Sequence, residues 1–211
     1  MLVEKYHVVI VTDKNLDARE FLERMRKEVV SEFREHKYVN DEEITWELSD
    51  EELYEKIKEG DVDLCGLYHD SEIEISFTVS SGKIKGIIIL SLIGGHEIEE
   101  EYLSKENRQL ILNMYNVADP VIIRTAYRSG AGNPVNEEFE ELSIYSLHWM
   151  QIFSKEMLHS INVHKLKSSD KFYMVKELND GSIFIQITKG PGFTLKKIKE
   201  LSDEIEIDCP E

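Results

Sequence analysis

Apolar and polar residues alternate most regularly between Glu72 and Ile93. Every second position of the first half is apolar, at Ile73, Ile75, Phe77 and Val79. A period of two residues is that of a strand with one buried and one solvated face. Ser80–Lys83 supplies a glycine-containing turn of hairpin length, and the returning run Ile87–Leu90 is apolar on both faces. The pattern predicts a hairpin in the middle of a sheet on which helices pack.

Two helices are predicted before this hairpin, the first from apolar residues at helical spacing and the second from a capping motif. The first is capped by Asn15 or Asp17 and runs to about Glu35. The segment Ser49–Glu52 has the form of a capping box, in which the serine hydroxyl bonds forward and the glutamate reaches back. The helix that it starts is expected to end at Gly60, where a left-handed residue is tolerated.

Two further helices are predicted after the hairpin. Ser104 is the expected cap of one, which stops before Asp119 and its following proline, since a residue preceding proline avoids the helical region. The other runs from Ser143 or Ser146 to Ile161, with apolar residues on one face.

The remaining pattern predicts short strands and a last helix. The expected strands are Tyr6–Val11, Glu42–Leu48, one within Asp61–Tyr68, Val121–Tyr127, Phe172–Leu178 and Ile183–Thr188. The last two flank Asn179–Ser182, whose Asn-Asp-Gly-Ser sequence is a strong hairpin signal. Thr194 is the expected cap of the last helix. After Lys199 the chain carries acids and no basic residue, which predicts a frayed acidic tail, with a partner contact as the alternative.

These elements together predict an α+β fold with a mixed or antiparallel central sheet, built from hairpins and covered by amphipathic helices. With 211 residues the chain is long enough for one substantial core. We expect a single domain over residues 1–211, within which 1–118 and 119–211 are halves that share this core.

The formal net charge of −17 restricts the classes of partner. A protein this acidic repels nucleic acid and anionic membrane surfaces and attracts basic proteins. The alternative is that the charge only maintains solubility. Cys65 and Cys209 are too few for a disulfide scaffold, and the short apolar run near the N-terminus is a strand rather than a signal peptide. We expect a cytoplasmic protein.

The sequence contains no motif that assigns a chemistry. Its seven histidines do not occur at metal-ligand spacing, so we predict no metal site, no cofactor and no catalytic residue. His69 and Asp70 could form an acid–base pair, but ordinary loop polarity is the favoured interpretation. The glycine loops at Gly130–Gly132 and Gly190–Gly192 could bind a phosphate or carboxylate through their N–H groups, although neither is a Walker loop. Whether they bind a ligand stays open.

The segment Ser143–Glu206 resembles bacterial immunity proteins of polymorphic toxin systems, in particular the Imm52-type family. The shared features are a tryptophan-bearing helix at Leu147–Met150, a strand, the turn Leu178–Ser182, an apolar strand, a proline loop and a final helix. The resemblance implies a non-enzymatic inhibitor that binds a cognate toxin, often a nuclease, and blocks it in the cytoplasm.

If the resemblance holds, two acidic runs face the basic surface of the toxin. They consist of Glu97, Glu99, Glu100 and Glu101, and of Glu137, Glu138, Glu140 and Glu141. Such runs speed association by electrostatic steering. The alternatives are a cytoplasmic enzyme that acts on a small anionic substrate through Arg124 or Arg128, and a scaffolding subunit of a phage or secretion apparatus. The oligomeric state is not predicted.

Overall fold

The computed structural model describes most of the chain, in ranges separated by gaps. These are residues 5–29, 35–39, 44–46, 49, 51–52, 55, 62–69, 73–80, 83–93, 100–120, 122–127, 141–144, 147–190 and 194–207.

Ten strands of these ranges form one antiparallel sheet. The strands are β1 Lys5–Asp17, β2 Glu35–Val39, β3 Ile44–Trp46, β4 Val62–His69, β5 Ile73–Ser80, β6 Lys83–Ile93, β7 Ile122–Tyr127, β8 Met150–Phe153, β9 Met174–Glu177 and β10 Ile183–Gln186. Their spatial order is β3-β2-β4-β5-β6-β1-β7-β8-β10-β9. The predicted α+β class is therefore confirmed, and the sheet is antiparallel rather than mixed.

The predicted hairpin lies in the middle of the sheet as expected. It consists of β5 and β6, which are the fourth and fifth strands in spatial order. Phe77 and Ile88 are paired across it and are at most 1% exposed. Because β1 pairs with both β6 and β7, it joins the hairpin to the strands of the second half of the chain.

One face of the sheet is covered by two helices from the first half of the chain, α1 (Ala18–Glu28) and α2 (Glu100–Ala118). The Asp17 carboxylate caps α1 by accepting from the N–H groups of Arg19 and Glu20, each at 3.1 Å. We call the apolar cluster beneath these helices the first layer. It extends from Phe21 on α1 to Phe184 on β10, so both halves of the chain contribute to it.

The other face is covered by the C-terminal part of the chain. Its elements are a 3₁₀ helix at Lys155–Ser160, α3 at Val163–Ser168 and α4 at Leu195–Glu204. Their apolar side chains form a separate cluster with the outward-facing residues of β1, β7, β8 and β10, which we call the second layer. As predicted, Thr194 caps α4, since its hydroxyl accepts from the N–H of Lys197 at 3.2 Å.

The prediction of a helix from Ser143 or Ser146 to Ile161 is wrong. Its middle is the strand β8, followed by the 3₁₀ helix, so Leu147–Met150 is not helical. All four residues of β8 are buried, because both layers cover it. A strand that is buried on both faces need not alternate between apolar and polar residues, so its apolar positions can also satisfy helical spacing.

Two other boundaries differ from the predictions. The first helix ends at Glu28, and Glu35 belongs to β2 instead. The helix expected to begin at Ser104 already begins at Glu100. The predicted capping box is confirmed, because Ser49 N–H donates to Glu52 at 2.7 Å and Glu52 N–H donates to the Ser49 hydroxyl at 3.3 Å.

The frayed acidic tail predicted after Lys199 is not observed, since the segment packs on the protein as far as Ile207. Ile205 is fully buried and Ile207 is 6% exposed, both within the second layer. Glu204 forms an ion pair with Lys171. Glu206 accepts from Lys165 at 2.6 Å and from the Asn162 amide at 2.8 Å. Lysines and an amide from α3 and its flanks thus balance acids that oppose the dipole of α4.

Candidate partner-binding groove

The predicted acidic runs lie largely outside the described residues. This holds for five of their eight members: Glu97, Glu99, Glu137, Glu138 and Glu140. Glu100 and Glu101 lie in the first turn of α2. Glu141 is exposed and helical. The proposed role of the eight glutamates in binding a partner remains a prediction.

A groove with a volume of about 560 Å³ lies between the helices of the first layer and the β9–β10 hairpin. One wall is the C-terminal half of α2 with Arg24 of α1, and the other runs from Lys176 to Asp180. Volumes of this order are typical of sites that enclose a ligand or part of a partner. We call it the hairpin groove.

The hairpin turn that forms one wall has a defined geometry. Gly181 N–H donates to the Leu178 carbonyl at 3.1 Å, and Leu178 N–H donates to the Ser182 carbonyl at 2.8 Å. Gly181 has a φ of +91°, a conformation that glycine adopts without steric cost. Asp180 accepts from Ser182 N–H at 3.1 Å, as aspartate does in many turns. The sequence-predicted hairpin is confirmed, and its turn projects beside α2.

Tyr115 of α2 ties this turn to the helix. Its hydroxyl donates to the Asp180 carboxylate and lies 2.7 Å from the Ser182 hydroxyl, which itself donates to Asp180 at 3.0 Å. Burial and the bond to Asp180 raise the pKa of Tyr115 to about 12. Burial alone would raise the pKa of Asp180, but the hydrogen bonds from Tyr115 and Ser182 outweigh it and lower that pKa.

The three groups therefore hold one protonation state at neutral pH, with a protonated tyrosine and an ionised carboxylate. Ser182 is fully buried, so its hydroxyl does not reach a substrate in solvent. The arrangement positions the turn against α2 rather than transferring protons.

The helical wall is fixed by a second set of polar contacts. Arg24 donates to the carbonyl of Asn116, and the Asn113 amide donates to the carbonyl of Glu28 at 2.7 Å. The Gln109 amide donates to Asn113 at 2.7 Å. These bonds tie the C-terminal turns of α1 and α2 together and add to the apolar contacts that the two helices share in the first layer.

The base of the hairpin is anchored from the first layer as well. Arg108 of α2 donates to Gln186 at 3.4 Å and contacts the sulfur of Met174 at 3.6 Å. Gln186 is fully buried and donates to the carbonyls of Thr188 and Lys189. The indole of Trp149 donates to the same Thr188 carbonyl at 2.9 Å. Trp149 is 2% exposed and serves as a core anchor.

The groove also contains exposed polar side chains. The side chains of Asn116, Lys176 and Asn179 are exposed and make no hydrogen bond or ion pair with any described residue. Asp119 lies at the end of α2 with a φ of +45°, in the left-handed region that aspartate and asparagine tolerate. The groove is thus lined by exposed amides, one exposed lysine and three exposed carboxylates.

None of the described residues of the other sequence-based hypotheses lines this groove. Arg124 is 1% exposed, on the second-layer face of β7, so its guanidinium does not reach solvent. His69 ends β4, and Asp70 lies outside the described residues. Arg128, Gly130, Gly132 and Gly192 also lie outside them, and Gly190 is buried. Within the described ranges no group of three or more histidine, cysteine or acidic residues is placed to hold a metal ion.

Sequence reasoning missed the hairpin groove. Its two walls are about 60 residues apart in the chain, and no local pattern indicates that they meet. One signal was available, because Tyr115 is a polar-tipped residue on the apolar stripe of α2 and such residues need a partner when buried. The hairpin turn was predicted, but its contact with α2 was not.

The fold is similar to that of a solved structure from a secretion system. The Pseudomonas aeruginosa T6SS protein PA0821 superposes with a TM-score of 0.55 at 7% sequence identity, and the match covers 97% of this chain and 75% of that one. Identity this low shows a shared fold alone. No protein-family model matches the sequence. A search of curated proteins also gave no match. In the described part of the chain, no helix has the length and apolar character needed to cross a membrane.

Proposed function

We propose that this protein is a toxin-neutralising immunity protein of a bacterial secretion system. The observation that carries the proposal is the fold shared with a type VI secretion system protein over nearly the whole chain. The protein acts by binding a cognate toxin in the cytoplasm and blocking its active surface. It needs no metal, cofactor or catalytic group for this function.

The charge of the chain supports a basic target. A net charge of −17 speeds association with a positively charged surface, such as that of a nuclease, and disfavours direct binding of nucleic acid. The glutamates of the two acidic runs supply this steering in the proposal. Apolar and aromatic contacts then determine how slowly the complex dissociates.

The finer assignment to the Imm52-type family rests on fewer features than the sequence suggested. The strand β9, the turn, the strand β10 and the final helix are present. The tryptophan-bearing helix is not, since Trp149 directly precedes a strand. We therefore place the proposal at the level of immunity function and leave the Imm52-type assignment as its more specific form.

The experiment that tests the function is co-expression with the neighbouring reading frames of its own genome. We expect one neighbour to inhibit growth when expressed alone, and this protein to restore growth by forming a complex stable in size-exclusion chromatography. Absence of both rescue and complex, with a neighbour that is shown to be toxic, would refute the immunity function for that pair.

Two matched double variants test the steering. Glu100→Gln with Glu101→Gln removes two charges at the start of α2, and Glu200→Gln with Asp203→Asn removes two exposed charges from α4 in the second layer. We expect slower association at low salt for the first pair than for the second. Equal rates would show that total charge, not this acidic run, steers the encounter.

A further inference from the structure

We propose that Met174 is a site of reversible oxidation, where a peroxide converts the thioether to a sulfoxide that Arg108 then holds by a hydrogen bond. Met174 begins β9, and Arg108 lies on α2. The inference is independent of the proposed immunity function, since it concerns a modification of the chain itself. It assigns a redox-sensitive contact to the base of the β9–β10 hairpin.

Met174 is the most accessible methionine of the described residues. The chain has six methionines, of which Met1 lies outside those residues. Four others are core residues at most 1% exposed, namely Met25, Met114, Met150 and Met157. Met174 is only partly buried, and β9 is the last strand of the sheet, so no described strand covers its outer side. Because oxidation of a thioether requires contact with the oxidant, exposure predicts that Met174 reacts first.

The reaction is a two-electron oxidation of the sulfur by hydrogen peroxide. A sulfur lone pair attacks one peroxide oxygen, and the O–O bond breaks. The sulfur loses two electrons and keeps that oxygen, whose proton combines with the departing hydroxide to give water. The product is a polar sulfoxide in place of an apolar thioether. On a side chain that packs against the first layer, such an oxygen is costly unless it accepts a hydrogen bond.

Arg108 supplies the donor that this oxygen needs. Its Nη1 lies 3.6 Å from the Met174 sulfur and 3.4 Å from the Gln186 side-chain oxygen. Both contacts are weak, because a thioether is a poor acceptor and an ordinary N–H···O bond spans about 2.7–3.2 Å. A sulfoxide oxygen is a stronger acceptor, so we expect the guanidinium to turn toward it. Gln186 keeps the bonds that it donates to the carbonyls of Thr188 and Lys189, so its position is maintained.

Oxidation should therefore move one end of the hairpin and leave the other in place. Met174 lies at the base of β9, where its contact with α2 changes. The turn at the opposite end stays tied to α2 by the bond from Tyr115 to Asp180. We expect the amide shifts in NMR to change most at residues 174–177 and least at residues 180–182.

The first test treats the full chain with hydrogen peroxide and follows each methionine by peptide mass mapping. A thiol reductant added afterwards returns disulfides and sulfenic acids of Cys65 and Cys209 to thiols and leaves the sulfoxide intact. We expect Met174 to gain one oxygen about tenfold faster than the four core methionines. Equal rates, or a slower reaction at Met174, would overturn the site.

Two variants test whether Arg108 holds the sulfoxide. Arg108→Leu removes the donor, Met174→Leu removes the reactive sulfur, and each urea midpoint is compared with that of the same protein before peroxide, which cancels the cost of the substitution. We expect oxidation to lower the midpoint of Arg108→Leu about twice as far as that of the parent, or further. Equal lowering in these two proteins would overturn the hydrogen bond. A lowered midpoint in Met174→Leu would overturn the assignment to Met174.

Reversal by methionine sulfoxide reductases completes the test in the parent protein, without any substitution. Both enzymes are added, because each reduces one epimer of the sulfoxide. We expect the amide shifts of residues 174–177 to change on oxidation and to return as mass mapping shows the loss of the oxygen. Unchanged shifts on oxidation, or shifts that persist after the sulfoxide has been reduced, would overturn a reversible change at the hairpin.

Discussion

The two layers of helices hold the same strands by different interactions. The second layer is drawn from the C-terminal part of the chain and the strands beneath it, and its contacts to β8 and β10 are mainly apolar. The first layer has an apolar cluster too, which reaches Phe184 of β10, and it adds polar contacts to the β9–β10 hairpin through Arg108 and Tyr115 of α2. Apolar burial on one side provides stability, while directional hydrogen bonds on the other fix the position of the turn.

This difference indicates which substitutions should reduce the stability of the protein and which should not. Loss of a buried apolar side chain leaves a cavity that the surrounding structure fills only in part, so its cost is large. Loss of a partly exposed hydrogen bond costs less, because water replaces part of it. Substitutions in the second layer should therefore reduce global stability, and those at the hairpin contact should mainly change the geometry of the groove.

Leu201→Ala tests the second layer and has the largest expected effect. Leu201 is fully buried in α4, and its truncation should lower the free energy of unfolding by about 2–5 kcal/mol. Urea denaturation followed by circular dichroism measures the change. Ile198→Ala, in the same helix at a partly buried position, is the control and should cost less. If the two variants lost equal stability, apolar burial would not explain how this layer holds the sheet.

Tyr115→Phe tests the polar contact of the first layer. It removes the hydroxyl that donates to Asp180 and should cost about 1–2 kcal/mol, since the acceptor is charged but the site is half-buried. The lowered pKa of Asp180 adds stability above the usual carboxyl range, and that stability is lost as the pH falls through the folded-state pKa. The variant should therefore lose less of its stability in acid than the parent.

The same variant separates stability from groove geometry. The amide shifts of residues 178–182 should change in the folded Tyr115→Phe protein, whereas those of α4 should not. Uniform shifts over both regions would mean that the hairpin contact is part of the general core and does not position the turn separately.

Local patterns were sufficient for most of the sheet but not for the groove. The strand β5 alternates with a period of two because every second residue is polar, and the Asn-Asp-Gly-Ser turn has local chemistry that specifies a hairpin. Met150–Phe153 is buried on both faces, so its pattern carried no such information and was assigned to a helix. The groove depends on Tyr115 meeting Asp180, a contact between distant segments that only the packing of α2 on the sheet determines.

The smallest expected effect is the pH dependence of stability that His148 causes. This histidine is a titratable side chain beside the apolar second layer. Burial and the nearby charge of Arg124 lower the pKa of His148 to about 3. The unfolded chain binds a proton near pH 6.5 and the folded protein does not, so stability falls as the pH drops below that value. Between pH 7 and 5.5 the expected loss from this group is about 1 kcal/mol.

Urea denaturation at these two pH values measures the loss in the parent protein and in His148→Gln. The variant cannot titrate at this position, so the part of the pH dependence that His148 supplies should disappear. The same substitution at the exposed His164 is the matched control. Identical pH dependence in parent and His148→Gln protein would show that the imidazole becomes protonated without unfolding, and that the second layer accommodates a charge beside Arg124.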